Sequence, residues 1–170
     1  GLVVAPSGPG LANDLTNSEA YRLSLSESKI VLPDSGLLCL WLKIFGQQSI
    51  MRISGLKYLK FFLDSTDLQG VSFWVMPDAS QAVANISWLE KEYKFSIEAK
   101  SVYHAPIYSP KVFLEDHDLL AKIESGNYKY IFIQLGGGVQ ERLGLYLLRN
   151  LRNGPIIICT GAALAFLSGQ

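Results

Sequence analysis

The chain reads as an α/β protein with a mostly parallel β-sheet covered by helices on both faces. Short apolar runs rich in Val, Ile and Phe alternate along it with segments whose apolar residues recur at helical spacing. Glycine- or proline-rich loops follow several of those runs, and sheets of this kind place ligands beyond the carboxyl ends of their strands. At 170 residues and 49% hydrophobic, the chain can build one proper core but not two, so residues 1–170 are expected to form a single domain.

Taken in order, residues 2–5 form a short buried strand, and residues 6–10 form a turn whose prolines and glycines oppose regular structure. Asn17 is placed to cap a short helix through Leu23. Residues 29–32 read as a strand ending at Pro33, Asp34, Ser35 and Gly36. The nearly continuous apolar pattern of residues 37–45 predicts a helix buried on most sides, ending near Gly46. A connector through residues 51–55 leads to a helix over 56–63. Residues 71–76 are a strand broken by Pro77, and residues 80–93 a helix with Val83, Ile86 and Leu89 on one face. Residues 95–103 are read as extended, and residues 104–110 as an aromatic- and proline-rich loop of the sort that lines pockets or packs as a surface turn. Helices over 114–125, 140–151 and 161–167 alternate with strands over 130–135 and 155–159.

Fifteen basic and fifteen acidic residues cancel, so no global field favours nucleic acid or an anionic membrane. No apolar run approaches the ~20 residues a membrane span needs. Cys39 and Cys159 sit in apolar segments without metal-type spacing and read as buried free thiols, which fits a reducing compartment. His104 and His117 lack partners at metal-ligand spacing, and Asp116 and Asp118 fall in an expected surface helix, so no metal site is read. P-loop, nucleophile-elbow and full dinucleotide-binding patterns are absent.

Chemistry is expected where strand ends meet loops. At residues 130–142 an apolar strand stops at Gly136, Gly137 and Gly138 and restarts as a helix carrying Gln140, Glu141 and Arg142. Glycines let backbone approach a ligand, and a helix start turns free N–H groups toward it; the same glycines also suit a plain tight turn. In a parallel sheet this loop converges with residues 5–10, 33–36 and 160–163. Asp34, the one carboxylate at an expected strand end, is suited to general-base work or to capping the following helix. Arg52 has the fork geometry for a diphosphate, although a surface Arg beside a turn is the commoner case. Glu141 is also favoured at a helix start by the macrodipole.

Five segments in this order resemble the WecG/TagA/CpsF family of bacterial glycosyltransferases: residues 3–6, residues 31–36 around Asp34, residues 52–55 beginning at Arg52, residues 135–141, and residues 161–169 beginning at Gly161. The resemblance spans nearly the whole chain. It implies a Rossmann-like fold and transfer of a sugar, typically N-acetylmannosamine, from a uridine diphosphate (UDP) donor to a lipid-diphosphate-linked acceptor in wall or surface polysaccharide synthesis. It places the family's proposed general base on Asp34, its arginine on Arg52, and its glycine loop on Gly136, Gly137 and Gly138 with Gln140 and Glu141. Ser7 and Gly161 fall in the loops that would line the substrate site, and no cofactor is implied. Departures are clear: Ala5, Pro6 and Ser7 stand for Thr-Pro-Asn, Gly138 and Val139 replace a Pro-Lys pair, and the closing motif departs at Ala165.

The expected activity is inverting transfer of an (N-acetyl)hexosamine-type sugar, with Asp34 and Gln140 in catalysis and Ser7, Arg52, Gly136, Gly137, Gly138, Glu141 and Gly161 binding substrate. The expected setting is cytoplasmic, at the inner face of the membrane. The family's basic, membrane-associating appendage is expected to lie outside these residues, and an oligomer is compatible with the reading. Two alternatives stay open: a catalytically silent UDP-sugar-binding or assembly subunit, and an unrelated small-molecule-binding domain.

Overall fold

The computed structural model describes residues 1–109 and 113–169. Its sheet contains β1 (Leu2–Val4), β2 (Ile30–Val31), β3 (Ser72–Met76), β4 (Val102–His104), β5 (Tyr130–Ile133) and β6 (Ile156–Cys159). All pairings are parallel, in the order β2-β1-β6-β5-β3-β4. The helices are α1 (Gly8–Asn17), α2 (Glu19–Glu27), α3 (Gly36–Ile44), α4 (Gly55–Ser65), α5 (Ala79–Tyr93), α6 (His117–Glu124), α7 (Val139–Asn150) and α8 (Ala163–Ser168). This is the α/β, Rossmann-like architecture that the alternation of patterns predicts.

Alternate strand residues divide the core into two layers, because successive side chains of a strand point to opposite faces. Leu2, Val4, Ile131, Ile133, Ile157 and Cys159 pack with Leu119 and Ile123 of α6 and Leu143 and Leu147 of α7. Val3, Phe132 and Ile158 pack against Leu59 and Leu63 of α4, Leu89 of α5 and Leu164 of α8. Trp74 stacks on Phe132 in that second layer, with ring centroids 4.2 Å apart. Burial on both faces explains why the central strands are apolar throughout instead of alternating.

The structure revises several local expectations. Residues 6–10 are not all irregular: Ser7 caps α1, and Pro9 lies in its first turn, where a missing N–H costs no helical hydrogen bond. Asn17 ends α1, and Ser18 caps α2 by accepting from the Tyr21 amide. Residues 95–101 form no strand; a 3₁₀ turn at Ala99–Ser101 precedes β4. On α5, Val83 is exposed while Ala82, Asn85 and Leu89 are buried. Asp116 is the buried cap of α6 and accepts from the Tyr103 and Tyr108 hydroxyls, so it is not on a helix surface. The last residue of the 104–110 loop, Pro110, lies outside the described residues.

The largest revision concerns α3. Its sequence is almost entirely apolar, yet none of its residues is buried. Leu37, Leu40, Trp41 and Ile44 face solvent, and only Leu38, Cys39 and Leu42 are partly covered. Cys39 is therefore half-buried, whereas Cys159 in β6 is fully buried; both thiols are free.

Candidate functional site

The register of the sheet brings the predicted loops together. Val31, Val4, Cys159 and Ile133 are level across β2, β1, β6 and β5, so the four chains leave the sheet at one edge. The connection after β1 passes through α2, which packs with the α7 layer, whereas the chain after β6 enters α8 in the opposite layer. Neighbouring strands whose connections depart to opposite faces open a crevice between them, the usual ligand position in an open α/β sheet.

A cleft of about 580 Å³ occupies this position. It is lined by Ser7 after β1, Asp34 after β2, Gly136, Gly137 and Gln140 after β5, and Gly161 after β6, with Arg52 on the rim. Seven of the residues singled out from sequence thus share one cavity. The other two, Gly138 at the end of the glycine loop and Glu141 behind it, do not line the cavity. Other cavities lie elsewhere: one of about 240 Å³ beside α6 and α7 includes His117 and Arg149, and one of about 360 Å³ beside β4 includes His104 and Lys122. Neither gathers the strand-end loops.

The glycine-loop wall is held by a buried polar network. Gly138 adopts φ +83°, a backbone conformation suited to glycine, and a Cβ there would collide with the Asp14 carboxylate. At Gly137 a Cβ would lie 2.6 Å from the Ser7 hydroxyl, so loop and α1 approach as closely as backbone permits. The Glu141 side chain reaches back to accept the Gly138 N–H at 2.7 Å and also accepts from Gln140 Nε2 at 3.0 Å. Burial pushes the Glu141 carboxyl above its ordinary range, against the opposing pull of these hydrogen bonds. Arg142 is buried too, donating from Nε to the Gly138 carbonyl at 3.0 Å and from a guanidinium N–H to the Ser109 carbonyl at 3.2 Å.

Gln140 fastens this loop to the next one. Its side-chain oxygen accepts the Gly161 N–H at 2.6 Å, joining the turns after β5 and β6. Gln134, which sequence reasoning passed over, makes a parallel tie: it donates to the Thr160 hydroxyl at 3.0 Å and accepts the Leu164 N–H at 3.2 Å. A glutamine ending an otherwise apolar strand is the signal that could have revealed it. Buried amides that both donate and accept in this way fix the relative position of the elements they connect.

The opposite wall carries the charges. Arg52 donates from Nε to the Asp34 backbone carbonyl at 2.6 Å and from a terminal nitrogen to the Asp34 carboxylate at 3.3 Å. The Asp34 side chain is 23% exposed and that of Arg52 is 59% exposed, so the pair faces the cleft and retains contact with water. Asp34 does not cap α3; Ser35 does, accepting the Leu38 N–H. Behind Arg52, a Cβ at Gly55 would meet Ala5 at 3.1 Å and the Thr160 carbonyl at 3.2 Å. That close approach brings the first turn of α4 to the strand ends and places Ser54 and Lys57 on the cleft wall. Lys57 was missed because it belongs to no motif of its own. It supplies a second cation in the cavity whose glycine loop has Val139 in place of lysine.

The site can therefore hold an anion between Arg52, Lys57 and loop backbone, with a carboxylate in the same cavity. Among the described residues, no three His, Cys, Asp or Glu side chains cluster as a metal would require, and no helix is long and apolar enough to cross a membrane. Comparison with individual curated proteins yields no match. The sequence profile described as "Glycosyl transferase WecG/TagA/CpsF family", in contrast, matches residues 1–170. Fold, cleft and full-length match agree: this chain belongs to the WecG/TagA/CpsF family of glycosyltransferases.

Proposed function

We propose that the protein, acting as one catalytic unit, moves an (N-acetyl)hexosamine-type sugar from a UDP-sugar to a lipid-diphosphate-linked acceptor in surface polysaccharide synthesis. The observation that carries this reading is the meeting of Asp34, Arg52 and Lys57 with Gly136, Gly137 and Gln140 in one cleft at the strand ends. In the proposed step the acceptor hydroxyl attacks the anomeric carbon from the side opposite the diphosphate. Its proton passes to the Asp34 carboxylate as the new C–O bond forms. The bond from the anomeric carbon to diphosphate oxygen breaks, and UDP departs with that electron pair, leaving the sugar inverted.

Arg52 and Lys57 stabilise the charge that grows on the departing diphosphate, and the glycine loop offers backbone close to it. Gln140 acts by positioning, since its amide is already engaged with Gly161 and Glu141. Glu141 likewise supports the loop from behind. Arg52 holds Asp34 through both its backbone carbonyl and its carboxylate, fixing the position of the base.

Replacement of the base tests the reading. Asp34→Ala is expected to lower transfer by about 10²–10⁴-fold, the usual contribution of a positioned acid or base, while the unfolding midpoint stays near wild type. Unchanged turnover would remove Asp34 from catalysis. A second reading, a silent donor-binding subunit, is favoured by the methyl groups of Ala5, Ala162 and Ala163 in the cavity lining, which offer no hydrogen bonds. It predicts UDP binding with neither transfer nor hydrolysis in the wild-type chain.

A further inference from the structure

The exposed apolar residues of α3 fall at helical spacing. Leu37, Leu40, Trp41 and Ile44, followed by Phe45 at the C-cap, occupy positions i, i+3, i+4, i+7 and i+8, and therefore one face. Leu37 is 76% exposed and Phe45 70%, and the Trp41 and Phe45 rings lie 5.9 Å apart. Beyond the helix, Met51 is 80% exposed in the segment that returns to Arg52. A solvent-facing stripe of this size on a helix rich in Leu and aromatic residues marks an interaction surface.

Its location links it to the cleft. Helix α3 starts two residues after Asp34, and its first residue, Gly36, lies against Arg52: a Cβ there would be 3.7 Å from Arg52 Cδ. The stripe thus rises from the rim of the cavity. Charge identifies its occupant. From Gly36 to Leu63 there is no Asp or Glu, whereas Lys43, Arg52, Lys57 and Lys60 fall there, in a chain whose net charge is zero.

We infer that the α3 face is a membrane-docking surface that lays the cleft rim against an anionic lipid bilayer. Apolar residues with Trp and Phe enter the headgroup boundary, and neighbouring lysines meet anionic lipid, the pattern of an interfacial helix. A second copy of the chain fits this face poorly, because a two-fold contact would bring the basic segment onto its own image. The inference rests on the proposed lipid-linked acceptor for its biological sense, but the binding itself requires neither donor nor acceptor.

The test uses the 170-residue chain with vesicles of phosphatidylcholine plus phosphatidylglycerol, and of phosphatidylcholine alone. Sedimentation should bring the protein down with the anionic vesicles, with less bound as salt rises. Tryptophan emission should shift to the blue; Trp41→Phe should abolish the shift while preserving binding. Leu40→Ser with Ile44→Ser should lower partitioning at least about tenfold at an unchanged thermal midpoint, because neither side chain is buried in the free protein. Lys43→Glu with Lys60→Glu should remove the preference for anionic vesicles.

Equal partitioning of wild type and the Leu40/Ile44 variant would overturn the inference. So would absence of vesicle binding, whether or not ultracentrifugation reveals a dimer that the same variant dissociates. Transfer to a water-soluble acceptor analogue, assayed in parallel, separates the two proposals. Transfer without vesicle binding overturns the docking surface alone; vesicle binding without transfer overturns the catalytic reading alone.

Discussion

On one side of the cleft, α7 sends Leu143 and Leu147 into the core and keeps Gln140, Glu141 and Arg142 buried beneath the glycine loop. On the other, α3 turns Leu37, Leu40, Trp41 and Ile44 to solvent, and the adjoining charges of Arg52 and Asp34 remain in contact with water. Both helices follow parallel strands, yet α3 is apolar almost throughout whereas α7 mixes apolar residues with Gln140, Glu141, Arg142 and Arg149. They differ in what surrounds them: α7 lies over central strands β1 and β6, while α3 follows β2, an edge strand with Ile30 and Val31 exposed. Burial in this fold follows position in the sheet. Hydrophobicity of a segment therefore means core on one wall and a free face on the other.

This contrast can be broken by matched substitutions. Leu143→Ala should destabilise the protein by about 2–5 kcal/mol, the cost of a cavity in a close-packed core, measured by urea unfolding. A small change there would mean that the α7 wall is less tightly built than its burial implies. Gly138→Ala should cost about 1–3 kcal/mol, from its positive φ and the nearby Asp14 carboxylate. On the charged wall, Lys57→Ala should weaken UDP binding by about tenfold, as expected for one lost charge-assisted contact, without shifting the unfolding midpoint. Leu40→Ala should change stability by no more than about 0.5 kcal/mol, since the side chain is more than half exposed. Similar losses for Leu40 and Leu143 would erase the distinction between the walls.

Glu141 sharpens the comparison through pH. Its folded carboxyl is raised above the ordinary range by burial, so folding favours its protonated form. That contribution is fully present below the ordinary carboxylate value and is lost as pH rises through the raised folded value. Glu141→Gln cannot titrate. The stability of wild type relative to this variant should therefore fall as pH rises above the ordinary carboxylate range, followed by urea midpoints at each pH. A flat difference would mean that the Gly138 and Gln140 hydrogen bonds fully offset burial.

Much of the fold was legible because short apolar runs alternate with segments of helical periodicity, and residues 130–142 display one such strand-to-helix transition directly. The convergence of Ser7, Asp34, Gly136, Gln140 and Gly161 followed once strands alternated with helices, since parallel order collects their ends. What escaped depended on tertiary surroundings. The apolar α3 pattern gives no sign that its strand lies at the sheet edge, and Lys57 enters the cleft only because Gly55 permits close approach of α4. Gln134 was hidden for a related reason: a lone amide at a strand end acquires meaning only when Thr160 and Leu164 are seen beside it. Pro9 was read as a helix breaker, although the first helical turn tolerates it.

In the proposed reaction, the cleft between these unequal walls receives a uridine diphosphate group beside the Asp34 carboxylate. Calorimetric titration of wild type and Asp34→Ala with UDP and with adenosine diphosphate tests it most directly. UDP should bind at one site in both proteins, in preference to the adenine nucleotide, with at least about tenfold weakening by Lys57→Ala with Arg52→Ala. Failure to bind UDP, or equal binding of the two nucleotides, would contradict it.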